Sequence, residues 1–166
     1  MQRLGIVGHR VLDPEAREFV AVACSTLIAD AQRETKVAGV SALAEGADTL
    51  FAEAALSSGA TLEVVRPYDG YEDEFTTVSQ RRRYRALVEA AGRETHLPFS
   101  TRSTPAYEAA MRRVTHDCDV LVAAWDGTPP RGTGGTADTI RYARSIGRRV
   151  IHLDVRECVI VRGAAG

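Results

Sequence analysis

Strand-like and helix-like segments alternate along nearly the whole chain, and few architectures accommodate that alternation. Residues 3–8 (RLGIVG) are short, apolar and bounded by Gly, His and Arg, the form of a buried strand. Asp13-Pro14-Glu15 then marks a helix start: Asp caps, and Pro is preset for the first helical position. Phe19, Val22, Ala23, Leu27 and Ala31 follow at helical period. Residues 37–42 (VAGVSA) read as a second strand. A second helix follows, with Ala47, Leu50, Phe51, Ala54 and Ala55 on its inner face and Gly59 as its stop. Residues 61–66 (TLEVVR) form a third strand closed by Pro67, and 68–78 (with YDGYEDEF) read as a loop or short turn. Helices are predicted over about 79–91, 105–116 and 135–146. Residues 119–125 (DVLVAAW) have the form of a central strand and 150–153 of a last one; 94–97 and 159–161 are short candidates for edges. Apolar strands alternating with helices predict an α/β fold: a three-layer, Rossmann-like, doubly wound and mainly parallel sheet of about five to seven strands.

Composition narrows the function classes. The chain has 166 residues, the span of one domain, with its core over 3–154 and an edge or tail over 155–166. Lys plus Arg total 21 against 22 for Asp plus Glu, a formal charge of −1, whereas a nucleic-acid binder normally carries a basic excess. Stable nucleic-acid binding is therefore not expected. No apolar run approaches the ~18 residues of a membrane span, and MQRLGIVGHR lacks the form of a signal peptide. Cys24, Cys118 and Cys158 are odd in number and widely spaced, which fits a reduced, cytoplasmic setting and neither a disulfide framework nor a zinc site. Neither a metal nor a cofactor is expected.

Three unusual stretches each follow a strand: Gly8-His9-Arg10, LAEGAD (43–48) after Ser41, and DGTPPRGTGGT (126–136). Ligands of open α/β sheets bind outside the carboxyl ends of strands, where the strand order reverses. If these five main strands lie in the order third-second-first-fourth-fifth, the three loops share one crevice. In the last loop Gly132, Gly134 and Gly135 allow close backbone approach, and Thr136 opens a helix whose free N–H groups suit an anion. Arg131 and Arg10 supply counter-charge. Gly46 and Ala47 open a second helix; Asp48 suits either its dipole or a ligand, and Glu45 is the candidate for a ribose hydroxyl or acid–base work. Asp126, with Gly127, serves either a ligand or an Asx turn. Gly8, His9 and Ser41 complete the candidate binding set. The run Arg81, Arg82, Arg83, Arg85 reads as a solvated helix face pairing with upstream acids, and His116-Asp117 alone lacks the partners of a metal site.

GIVGHR, SALAEGADTLFAEAAL, TLEVVRPYDGYEDEF and DVLVAAWDGTPPRGTGGTADTIRYAR together resemble the SLOG superfamily. This Rossmann-like group includes the LOG phosphoribohydrolases and the DNA-processing protein A domain, and the resemblance is to its stand-alone bacterial YspA/YpsA-like branch. It covers nearly all of residues 3–154 and implies a nucleotide-type ligand, such as a nucleoside monophosphate or an ADP-ribose derivative, and a homodimer. LOG enzymes carry a PGGxGTxxE loop. With their Gly-Thr step on Gly135-Thr136, the first glycine falls on Gly132, the second on Thr133 and the catalytic Glu on Thr139, one residue after Asp138. The expectation is a sensor or carrier of a phosphorylated nucleotide. The alternative is a LOG-like nucleoside 5′-monophosphate phosphoribohydrolase, with Glu45 or Asp138 acting on the N-glycosidic bond.

Overall fold

A computed structural model describes residues 1–129 and 135–162. Its strands are β1 (Gln2–Gly8), β2 (Val37–Ser41), β3 (Thr61–Arg66), β4 (Arg93–His96), β5 (Val120–Trp125), β6 (Arg149–Asp154) and β7 (Val159–Arg162). They form one sheet in the order β4-β3-β2-β1-β5-β6-β7, parallel throughout except for the antiparallel β6–β7 pair. The five main strands lie as β3-β2-β1-β5-β6, the order under which the three loops share a crevice, and the two short candidates close its edges. The order reverses between β1 and β5, so a crevice opens beyond their carboxyl ends.

Helices α1 (Pro14–Gln32), α2 (Ala47–Ser57), α3 (Val78–Ala90), α4 (Thr104–Asp117) and α5 (Thr136–Ser145) connect the strands. Asp13 caps α1 by accepting the Ala16 amide at 2.8 Å, as its sequence predicts. The start of α3 is fixed by a reciprocal cap: the Gln80 amide donates to the Thr77 hydroxyl, and the Thr77 amide donates to the Gln80 side chain. Among the described residues, no helix is long and apolar enough to cross a membrane.

The sheet is covered on both faces because its residues alternate. Ile6 packs into a core with Val20, Leu27 and Phe51 of α1 and α2, and its neighbour Val7 packs into another with Val114 of α4 and Ile140 of α5. Burying a side chain such as Phe51 stabilises the fold by about 1.5–3 kcal/mol. One inner-face expectation is corrected: Val22 is exposed. The buried stripe of α1 runs through Ala16, Val20, Ala23, Leu27 and Ile28, and Val22 falls off it at 100° per residue.

The segment 68–78 is the loop with a short turn that its sequence suggests, but its aromatic side chains are buried. It contains a 3₁₀ turn, Tyr71–Glu74, whose Tyr71 is almost wholly buried. Tyr71 makes edge contacts with Tyr68, Phe75 and Tyr84, and Phe75 stacks on Tyr84 at 4.7 Å. Such pairs add about 0.5–1.5 kcal/mol each beyond area burial. Asp69 and Asp73 stay toward solvent while the aromatics turn inward, so the segment forms a third core packed under α3.

Candidate functional site

The loops after β1, β2 and β5 converge as predicted. Gly8 ends β1 where no side chain fits: a Cβ there would stand 2.6 Å from the Cβ of Ala47 and 2.8 Å from that of Ala124. The His9 amide donates to the Ala124 carbonyl at 3.1 Å, and the Ala47 amide donates to the His9 carbonyl at 3.1 Å. Gly46 has φ +90°, and a Cβ on it would lie 2.4 Å from the His9 carbonyl oxygen. The first amide of α2 thus fastens the crevice wall together instead of facing a ligand.

On the β5 side, Asp126 forms the Asx turn that was one of its two readings. Its Oδ1 accepts the Thr128 amide at 3.0 Å and the Thr128 hydroxyl at 2.7 Å, and Gly127 takes φ +78° beside it. His9 Nε2 accepts the Asp126 amide at 3.2 Å and lies 3.2 Å from Oδ1. Burial alone would raise the Asp126 carboxyl, but the two bonds from Thr128, with the His9 ring beside them, outweigh it and hold it down at about 2. The carboxylate is ionised and stiffens the loop that carries Trp125 and Thr128 into the crevice.

Arg10 reaches across to residues that sequence reading left aside. Its guanidinium lies 5.0 Å from the ring centroid of Tyr107 and 3.4 Å from Glu74 Oε2. Glu74 Oε1 also accepts from Tyr107 at 2.7 Å, from Tyr68, and sits 3.3 Å from Arg102. Burial pushes the Glu74 carboxyl upward, yet the two phenols and two guanidinium groups together lower it below its ordinary value. Glu74 therefore holds Arg10 and Tyr107 in one orientation at the crevice edge.

Asp48 is almost completely buried at the start of α2. Its Oδ2 accepts from the Ser41 hydroxyl at 3.4 Å, and it accepts the amides of Ala44 and Ala42. The Ser41 hydroxyl in turn accepts the Leu43 amide at 3.0 Å, supporting a Leu43 backbone held at φ +56°. Burial nevertheless dominates and pushes the Asp48 carboxyl up to about 7.

Two cavities flank the start of α5. One, of about 630 Å³, is lined by the β1 and β5 loops, with Trp125, Thr128 and Val155 among its walls. The other, of about 250 Å³, lies on the β2 side, with Asp48, Tyr71, Tyr107 and Met111 among its walls. Gly8, Arg10, Gly135 and Thr136 line both. Gly135 has no side chain to cap α5, and with Thr136 it brings the helix N-terminus to this junction. Arg131, Gly132 and Gly134 lie outside the described residues.

The two candidate catalytic acids stand elsewhere. Glu45 turns to α3, 3.4 Å from Arg83, which also pairs with Glu53. Asp138 pairs with Arg141 at 3.1 Å and lines a separate cavity between α4 and α5. The basic run on α3 pairs with acids as predicted, Arg85 with Glu72 for example. Among the described residues no group of His, Cys, Asp or Glu is placed to hold a metal. Sequence reading missed Glu74, Tyr71, Tyr107 and Met111. The repeated aromatic–acid spacing of YDGYEDEF was the available signal for the first two, whereas Tyr107 and Met111 lie within the helix predicted over 105–116 and carry no local mark of a site.

No protein-family model matches the chain, and no curated protein matches it in sequence. Solved structures do match in fold. DNA processing protein A from Streptococcus pneumoniae superposes with TM-score 0.64 at 20% identity, over 92% of this chain and 50% of that one. DNA processing protein A from Helicobacter pylori, described for its single-stranded DNA binding mode, gives 0.65 at 17% identity, over 91% of this chain and 64% of that one. The Moco carrier protein of Chlamydomonas reinhardtii gives 0.57 at 16% identity, over 92% of this chain and 76% of that one. The chain spans half the length of the first of these proteins. It carries the Rossmann-like fold of these solved structures.

Proposed function

We propose that the crevice binds a phosphorylated nucleotide or nucleotide-derived ligand, of the nucleoside monophosphate or ADP-ribose class, and that the protein serves as its sensor or carrier, acting as a homodimer. One observation carries the reading: Gly8, Arg10, Gly135 and Thr136 border both cavities at the start of α5. A phosphate there would receive the first-turn N–H groups and the Arg10 guanidinium, with the helix dipole favouring its charge. The rest of the ligand then has a cavity on either side. A carrier role also has a parallel in fold, since one structural relative is named as a carrier of the molybdenum cofactor. The phosphoribohydrolase reading gains no comparable support, because Glu45 and Asp138 line neither of these two cavities.

The test is thermal unfolding with AMP, GMP, CMP, UMP, ADP-ribose and a single-stranded oligonucleotide, with released base assayed in parallel. The expected result is a melting temperature that climbs with the concentration of at least one mononucleotide or ADP-ribose, without base release. Stabilisation by the oligonucleotide alone, or by none of the probes, would overturn the reading, and base release would replace it with the hydrolase. Light scattering tests the dimer; a monomer mass would remove that part.

A further inference from the structure

The 250 Å³ cavity has a character that a phosphate site does not need. It is smaller than the ~300–1,000 Å³ of pockets that enclose a whole drug-sized ligand, so it admits a ring, not a complete nucleotide. Its walls are those of a flat apolar guest: Tyr71, Tyr107, Met111 and Pro67. Yet Asp48 also stands in the wall, nearly inaccessible to water. A carboxyl there repels phosphate, which sets the direction of any ligand: its anionic end lies at Gly135 and Thr136, and its uncharged end lies against Asp48.

We propose that this cavity is the slot for the heteroaromatic base of the bound nucleotide, and that Asp48 determines specificity by accepting an N–H of that base. The inference rests on the phosphate reading above and assigns the other end of the same ligand. An ionised carboxylate offers about four lone-pair positions. The Ser41 hydroxyl and the amides of Ala42 and Ala44 occupy three, which leaves room for one further donor. The titratable groups near Asp48 come from separate elements: the charged Arg10 after β1, and Cys24 on α1 and Tyr71 on the 3₁₀ turn, both kept protonated by burial. Burial places the carboxyl at about 7, so it gives up its proton near neutrality, and a ring N–H filling the last position favours the ionised form. Tyr107, held by Glu74, offers its ring to one side of the slot.

Titration calorimetry on the full chain tests this with the tightest-binding mononucleotide among AMP, GMP, CMP and UMP, purine riboside 5′-monophosphate (which has no N–H donor on its base) and ribose 5-phosphate. The mononucleotide is expected to bind the wild type at least about tenfold more tightly than the two other probes, a ratio typical of a charge-assisted hydrogen bond. Asp48→Asn is expected to reduce that ratio several-fold. Met111→Trp, which fills the slot, is expected to abolish it, with ribose 5-phosphate binding unchanged in both variants. Wild-type discrimination in both variants, with ribose 5-phosphate still bound, would overturn the base slot while leaving the phosphate reading standing. If the wild type binds neither mononucleotide nor ribose 5-phosphate, the phosphate reading fails and the slot falls with it. Far-ultraviolet circular dichroism and a melt on each variant separate loss of contact from loss of fold.

Discussion

The Ala47 amide donates to the His9 carbonyl at 3.1 Å, fastening the start of α2 to the loop after β1. Gly46 makes that approach possible through its φ of +90° and its missing side chain. Gly46→Ala is therefore expected to destabilise the fold by about 2–4 kcal/mol, from left-handed backbone strain and the clash with His9 together. Urea unfolding checks it. A loss below about 0.5 kcal/mol would mean that the two loops separate freely.

Asp48 predicts an unusual dependence on pH. Its folded-state value is raised from 3.8 to about 7, so the native state holds the proton that the unfolded chain releases. Stability from this group is full below about pH 4 and declines as pH rises toward 7. Asp48→Asn carries no such charge. Its melting temperature relative to the wild type is expected to rise between pH 5 and pH 8. A constant difference across that range would show that Asp48 titrates normally.

Glu74 carries the opposite sign. Tyr68, Tyr107, Arg102 and Arg10 hold its carboxyl below 4.5 despite burial, so its contribution is present above that pH and lost as pH falls through the folded value. Glu74→Gln is expected to cost about 1–3 kcal/mol near pH 7, from charge-assisted bonds weakened in a partly buried network. That cost should shrink toward pH 3. Chemical denaturation at pH 7 and pH 3 measures both, and an undiminished cost at pH 3 would contradict the ion-pair account.

Much of this arrangement was legible in the sequence, for physical reasons. Apolar strands such as VLVAAW and helix starts such as Asp13-Pro14 are local signals, and they located the elements and the crevice at the β1–β5 reversal. What stayed hidden depends on residues distant in sequence. The Ala47 amide looks free in a local reading, but His9, 38 positions earlier by their numbers, engages it. Glu45 and Asp48 look like equivalent acids in LAEGAD. Glu45 precedes α2 and turns to Arg83, whereas Asp48 lies in the first turn of α2 and stands in the cavity wall. The burial of the aromatics of 68–75 stayed hidden because acidic neighbours interrupt an apolar face that β3, α2, α3 and α4 complete.

Gly135 separates stability from binding. Among the described residues a Cβ there meets nothing within 4 Å, and φ is −85°, so a side chain can be carried without backbone strain. Gly135→Asp supplies α5 with a carboxylate cap and is expected to hold or raise stability by a few tenths of a kcal/mol. The same carboxylate occupies the anion position, so mononucleotide affinity should fall about tenfold or more. Unchanged affinity in a fully stable variant would place the phosphate elsewhere.

The most direct measurement is a crystal structure of the chain with the mononucleotide that stabilises it most. The account predicts phosphate oxygens within hydrogen-bond distance of the Thr136 and Ala137 amides, with the Arg10 guanidinium alongside. A phosphate bound away from the start of α5, with Gly135 and Thr136 untouched, would contradict it.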